Sequence, residues 1–300
     1  MTLQNSKIID GVFHSEELLK KVGKIVTKLI NIINRKPCIA VILVGCNPAS
    51  EIYVKNKIKI ANTVSIDSKK IQLQENISEQ ELLNEIHVLN NNKNIDGILV
   101  QLPLPSHISE KRVTLSIDPE KDVDGFHPIN LGHLLTGDQK MIPCTPLGCL
   151  YLLKSELKSL DGLSAVIIGR SNIVGKPMQC LLLKENCTVT IAHSKTKNLS
   201  EITSKADILI AAVGKANLIN KKFVKSNSTI IDVGINRLKH NDKNIIVGDV
   251  QFLDVIDKAK KITPVPGGVG PMTIACLMYN TVKASFVRNN YDFKENIFDE

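Results

Sequence analysis

Tryptophan is absent from the 300 residues, and aromatic side chains make up only 4% of them. With so few flat rings, and no arginine-rich stretch interleaved with aromatics, the chain is poorly equipped to stack nucleic-acid bases, although its net charge of +8 would by itself suit a polyanion. No apolar run approaches the roughly 20 residues that a membrane-spanning helix needs. The first ten residues hold no apolar core of the signal-peptide kind, and the acidic pair Glu16-Glu17 speaks against a transit peptide. Seven cysteines occur, at 38, 46, 144, 149, 180, 187 and 276, but none forms a Cys-x-x-Cys pair. Neither a zinc site nor a disulfide framework is expected from such spacing. These absences leave a soluble, cytoplasmic chain with no membrane or nucleic-acid partner, whose surplus positive charge is available to anionic small molecules.

A hydrophobic fraction of 43% is that of a globular protein, and 300 residues exceed a single core, so two domains are expected. Ser15 to Ile33 carries apolar residues at helical spacing, with Ser15 as the candidate N-cap. Ile39 to Val44 is a continuous apolar run ended by Gly45, the pattern of a strand covered on both faces. A weaker strand at Ile66 to Leu73, a capping box at Ser78-Glu79-Gln80-Glu81 opening a helix to Leu89, and a strand at Ile95 to Val100 complete a βαβαβ-like half. Asp118 to Pro128 and Ile142 to Pro146 are irregular, and a helix is expected from Leu147 to Leu157. A second alternation follows: strands at Ser164–Ile168, Thr188–Ala192, Ala206–Val213 and Thr229–Val233, with a helix at Gly175–Leu183. The final helix, Met272 to Val287, has no strand after it and is expected to return to the first domain. The fold class expected is therefore α/β, with two doubly wound units, the second of Rossmann type. Residues after Arg288 read as a loosely held tail.

Chemistry concentrates at the ends of these strands. Ala49 to Lys57 reads as a short helix after the Gly45–Pro48 turn, and helical periodicity puts Ser50, Tyr53, Lys57 and Ala61 on one stripe and Lys55 and Lys59 on the other side, which singles out Lys57 for proton chemistry. Gln101, directly after its strand, should lie at the same sheet edge, where an amide can orient a lysine without adding charge. Asp122 and Asp124 could be an acid and base pair, but a single anchoring carboxylate is the favoured reading. His127, His133, Cys144 and Cys149 lack metal-ligand spacing, so no metal is expected. Val166 to Gly175 runs strand, glycine-rich turn, helix. Ser171 stands where the dinucleotide fingerprint has its second glycine, yet such a turn can still aim helix N-terminal amides at a pyrophosphate. About 20 residues on, where an NAD site carries a carboxylate, stands His193-Ser194-Lys195; with Arg170 in the first turn this favours NADP. Pro264 to Gly270 has three glycines in four residues, allowing close backbone approach to a ligand.

These segments together closely resemble the bifunctional methylenetetrahydrofolate dehydrogenase/cyclohydrolase family. The matching stretches are Asn47-Pro48-Ala49-Ser50 with Tyr53-Val54-x-x-Lys57, Asp96 to Pro105, Lys121 to Pro128, Pro143-Cys144-Thr145-Pro146, Gly169 to Gly175, Asp232 to Asn236 and Pro264 to Thr273. They span roughly residues 7 to 288; departures lie in Ile58 to Ile66 and in the tail. The resemblance implies NADP-dependent oxidation of 5,10-methylenetetrahydrofolate to the methenyl cation and hydrolysis of that cation to 10-formyltetrahydrofolate. It further implies that Lys57 manages protons in the hydrolytic step, Gln101 tunes it and Tyr53 lies against the folate. Asp124, Ser50, Pro264, Gly267 and Gly268 would bind substrate, while Gly169, Arg170, Ser171, Ser194, Ile235 and Thr145 would hold the cofactor. A homodimer is implied too, with residues 1–145 and 271–300 as the folate-binding domain and 146–270 as the NADP-binding domain. Two other readings remain. A short-chain dehydrogenase shares the Tyr53 and Lys57 spacing but places its glycine turn before that pair. A basic nucleic-acid binder would lack NADP chemistry altogether.

Overall fold

The computed structural model describes residues 5–240 and 243–299. In chain order its elements are α1 (Gly11–Ile33), β1 (Cys38–Val44), α2 (Pro48–Thr63), β2 (Asp67–Leu73), α3 (Glu79–Asn91), β3 (Gly97–Val100), α4 (Glu110–Ser116), α5 (Pro128–Thr136) and α6 (Cys144–Glu156). There follow β4 (Ser164–Ile168), α7 (Gly175–Lys184), β5 (Thr188–Ala192), α8 (Leu199–Thr203), β6 (Ile208–Ala211), β7 (Thr229–Asp232), β8 (Asn236–His240), β9 (Lys243–Val247), α9 (Phe252–Val255), β10 (Lys261–Ile262) and α10 (Val269–Arg288). The chain divides into two compact units: Glu16–Cys144 with the chain from Ile274 onward, and Thr145–Thr273 with the segment ending at Ser15.

The first unit is built on a parallel three-stranded sheet in the order β2-β1-β3. The apolar run of β1 is buried almost throughout, as a central parallel strand must be. Ala40, Ile42 and Val44 pack with Leu82, Ile86 and Leu89 of α3. The capping box forms as expected, Glu81 N donating to Ser78 Oγ and Ser78 N to the Glu81 carboxylate. Because β2 and β3 flank β1 on opposite sides, the chain reverses direction across the sheet at β1, and the carboxyl ends of β1 and β3 form a switch point. The second unit has five parallel strands in the order β10-β7-β6-β4-β5, with its reversal at β4, and β8 and β9 form a separate antiparallel ribbon. The α/β class and the return of the last helix hold: Asn280, Lys283 and Arg288 of α10 donate to backbone carbonyls of the first unit.

Three local expectations are corrected. Helix α1 begins at Gly11, not Ser15, because the Asp10 carboxylate accepts from Val12 N and Phe13 N and so caps the helix a turn earlier; Ser15 Oγ donates to Val12 O instead. Helix α6 starts at Cys144, three residues before the expected Leu147, carrying Pro146 within its first turn. The chain after Arg288 is not loose: Tyr279 Oη donates to Glu295 O, Phe293 meets Tyr279 and Phe286 edge-on, Lys28 pairs with Glu295, and Ile297 is buried.

Candidate active site and cofactor site

The turn from β1 into α2 is set by Gly45 at φ +76° and by Asn47, whose Oδ1 accepts from Ala49 N at 2.9 Å and Ser50 N at 3.2 Å. Pro48 in the first turn lacks the N–H that would otherwise need a partner. This entry fixes the helix phase. Ser50, Val54 and Ala61 are buried, Tyr53 and Lys57 half-buried, and Lys55 and Lys59 exposed, the division expected from periodicity. Lys57 Nζ donates to Gln101 Oε1 at 3.0 Å. Gln101 is held in turn: its backbone N donates to Ile42 O at 2.9 Å and its Nε2 to Leu102 O at 2.7 Å, which turns the amide oxygen toward the lysine. Two residues 44 apart in sequence thus meet because both follow strands that end at the same switch point.

The irregular Asp118–Pro128 stretch is rigidly tied. Lys121, fully buried, donates through Nζ to the carbonyls of Leu89, Asn90 and Asn92 at 2.7, 2.7 and 2.9 Å, closing the carboxyl end of α3. Burial and the nearby Arg288 push its pKa down to about 8. Asp122 is also buried, and its oxygens accept from Phe126 N, His127 N and Asn130 Nδ2. Asp124 differs: among the described residues its carboxylate accepts no hydrogen bond. Burial raises its pKa to about 6, the Lys57 charge pulling it back and Asp122 pushing it further up. One aspartate therefore holds the loop, and the carboxylate of the other takes no part in that hydrogen-bond network among the described residues. Sequence reasoning missed Asn280, a buried residue of α10 whose Nδ2 donates to Val123 O at 2.9 Å and Ile142 O at 2.8 Å, setting the backbone on which Asp124 stands. An amide on an otherwise apolar helix turn was its only signal.

The second unit carries the glycine-rich turn. A Cβ at Gly169 would lie 2.2 Å from Ala212 O, and one at Gly175 would lie 2.2 Å from Gly169 O, so Gly169 lets the turn after β4 pass the residue after β6 and Gly175 lets α7 start against that turn. Ser171 Oγ, in place of a second glycine, accepts from Val174 N at 3.1 Å and Gly175 N at 3.4 Å. The turn projects Arg170, Ser171 and Asn172 to solvent, and Ser194 is exposed after β5. A close-packed turn with an exposed guanidinium and exposed hydroxyls, and no carboxylate in Arg170–Gly175 or His193–Lys195, fits a phosphorylated dinucleotide. Ile235 is exposed after β7, and Thr145 Oγ1 meets Thr273 Oγ1 at 3.0 Å. Pro264, Gly267 and Gly268 belong to this unit and not to that of Lys57, Gln101 and Asp124. Among the described residues no cluster of three or more His, Cys, Asp or Glu could hold a metal, the cysteines are free, and no helix is long and apolar enough to cross a membrane.

Comparison with known proteins gives two matches that together span most of the chain. Residues 9–124 match the model of the tetrahydrofolate dehydrogenase/cyclohydrolase catalytic domain, and residues 143–289 that of the NAD(P)-binding domain of the same family. The bifunctional protein FolD 1 of Acinetobacter baylyi is 52% identical over 279 residues, covering 93% of this chain and 94% of its own length. Among solved structures, the bifunctional methylenetetrahydrofolate dehydrogenase/cyclohydrolase of Campylobacter jejuni is 48% identical, with a TM-score of 0.90 over 94% of this chain and 99% of that one. The Trypanosoma brucei enzyme, solved with NADP cofactor and an inhibitor, is 32% identical with a TM-score of 0.91, covering 94% of this chain and 98% of that one.

Proposed function

The chain belongs to the tetrahydrofolate dehydrogenase/cyclohydrolase family, and from that premise we propose how its own residues perform the two reactions. It oxidises 5,10-methylenetetrahydrofolate to the methenyl cation and hydrolyses that cation to 10-formyltetrahydrofolate. NADP, when bound, supplies the acceptor for the hydride that leaves the methylene carbon. Arg170, Ser171 and Ser194 would hold its phosphates, with Gly169, Ile235 and Thr145 lining the rest. No protein base is needed for hydride loss.

The hydrolytic step does need a proton handler. Water adding to the methenyl carbon must lose a proton, and the ring nitrogen released on opening must gain one. Lys57 is assigned that transfer. Its hydrogen bond to the neutral Gln101 amide is the observation that carries the reading: the ammonium is oriented by an acceptor that brings no second charge. Asp124 would anchor the amino groups of the pterin, a role that suits a carboxylate accepting no hydrogen bond among the described residues. Tyr53 and Ser50, on the Lys57 stripe, would pack along the folate.

Following methenyl formation with NADP and NAD in parallel, and then its decay, tests the assignment directly. Lys57→Met should lower hydrolysis by about 10²–10⁴-fold, the range of a lost acid–base group; full hydrolysis by that variant would remove Lys57 from the mechanism. We further propose a cytoplasmic homodimer, supported by the exposed Leu238, Ile245 and Ile246 on the β8–β9 ribbon. Sedimentation as a 33.0 kDa species would overturn the dimer.

A further inference from the structure

Two buried carboxylates outside the residues assigned above share one knot at the carboxyl ends of β6 and β7. Asp249, fully buried, accepts four hydrogen bonds: from Val213 N at 2.7 Å, Gly214 N at 3.0 Å, Lys215 N at 2.9 Å and Asn236 Nδ2 at 2.9 Å. Asp232 accepts three, from Gly234 N and Asp249 N at 3.0 Å each and from Val250 N at 2.9 Å. Each carboxylate faces a glycine that alone leaves room for it. A Cβ at Gly234 would lie 2.3 Å from Asp249 Oδ1, and one at Gly248 would lie 1.8 Å from Asp232 Oδ2.

What the knot holds is functional surface. Ile235 sits between Gly234, whose N–H is tied to Asp232, and Asn236, whose side chain is tied to Asp249, so its exposed residue is fixed from both sides. The Val213–Lys215 turn, held by the same Asp249, directly follows Ala212, whose carbonyl is the atom Gly169 must approach. A carboxylate gathering successive backbone N–H groups from one turn and a side-chain amide from the next fixes their relative positions, because each bond to a charged acceptor is stronger than a neutral one.

We propose that Asp249, seated by Gly234 and braced through Asp232, is a positioning residue for the dinucleotide. It orders the turns after β6 and β7 into the shape the cofactor meets, without touching it. The inference rests on the assignment of this unit to NADP. Replacing the carboxylate by an amide puts an N–H₂ against backbone N–H donors and cannot satisfy all four. Asp249→Asn should therefore weaken NADP binding, read by calorimetric titration, by roughly tenfold or more. It should raise the KM for NADP in the dehydrogenase reaction by a larger factor than it changes hydrolysis of pre-formed methenyltetrahydrofolate, which uses no cofactor. A general loss of folded protein would instead depress both activities alike. Asn236→Ala removes only one of the four bonds, unpins Ile235 and keeps the charge, so it should weaken NADP severalfold even if Asp249→Asn fails to fold. NADP affinity within twofold of wild type in a folded Asp249→Asn, or in Asn236→Ala where the former does not fold, overturns this proposal alone. Failure of the wild-type chain to bind NADP overturns both this proposal and the assignment of the unit.

Discussion

Asp124 is half-buried, accepts no hydrogen bond from the described protein and faces the Lys57 charge, and burial still wins: its pKa rises from 3.8 to about 6. That balance has a stability consequence of definite sign. Below about pH 3 the carboxyl is protonated in both the folded and the unfolded chain and costs nothing. As pH climbs from there through 6, the unfolded chain ionises first, and the native state is progressively destabilised until the native carboxyl ionises as well. Above pH 7 the full cost applies, with a ceiling of about 3 kcal/mol, which partial exposure reduces to roughly 1–2 kcal/mol. Asp124→Asn removes the titration while keeping the shape, so in urea unfolding at pH 7.5 the variant should be more stable than wild type by that amount. The advantage should fade as pH falls toward 4. In a Lys57→Met background the gain should be larger, since the one charge that favours ionisation is gone. The same variant should lose folate binding, so stability and function move in opposite directions. An Asp124→Asn no more stable than wild type at pH 7.5, or a difference that does not shrink on acidification, would refute the reasoning.

Arg170→Ala should raise the KM for NADP more than that for NAD in parallel dehydrogenase assays, and equal changes would remove Arg170 from contact with the 2′-phosphate. Lys121→Met removes the buried ammonium from three carbonyls at the end of α3, that of Leu89 buried and those of Asn90 and Asn92 half-buried, and should lower unfolding free energy by about 2–4 kcal/mol in denaturant titration. Ile297→Ala empties a buried position in the C-terminal segment and should cost roughly 2 kcal/mol by the same measurement, whereas a loose tail would give none.

The elements legible in the sequence were those whose signals are local. The apolar run at β1, the capping box before α3 and the limits of β4 and β5 each rest on residues within a few positions of one another. The phase of α2, and with it the placing of Lys57 opposite Lys55, needed only helical periodicity. Gln101 could be placed near Lys57 because parallel strands end together. What escaped depends on distant partners. The C-terminal segment is held by Tyr279, Phe286 and Lys28, none of which its own polar sequence announces. Asn280 acts on a loop more than 130 residues earlier, and the early start of α1 turns on the Asp10 carboxylate, which lies before the apolar pattern from which Ser15 is read as the cap. The carboxylate knot required two glycines and two aspartates to be read as reciprocal pairs across 17 residues, which no periodicity reveals.

Those glycine and aspartate pairs also constrain how the chain can change over time. Alanine at Gly234 would collide with the carboxylate of Asp249 at 2.3 Å and with its backbone N at 2.6 Å, so shortening position 249 does not make room for it and also leaves three backbone N–H groups and the Asn236 amide without their acceptor. At Gly248 a Cβ would meet Asp232 Oδ2 at 1.8 Å and Val265 Cγ2 at 2.9 Å, so a shorter residue at 232 relieves only the first contact and leaves the three N–H groups that Asp232 holds without an acceptor. Gly234 is thus fixed by backbone as well as by its partner aspartate, and a library that randomises it should return glycine whether or not position 249 varies with it, whereas Gly248 faces only side chains and could change together with 232 and 265.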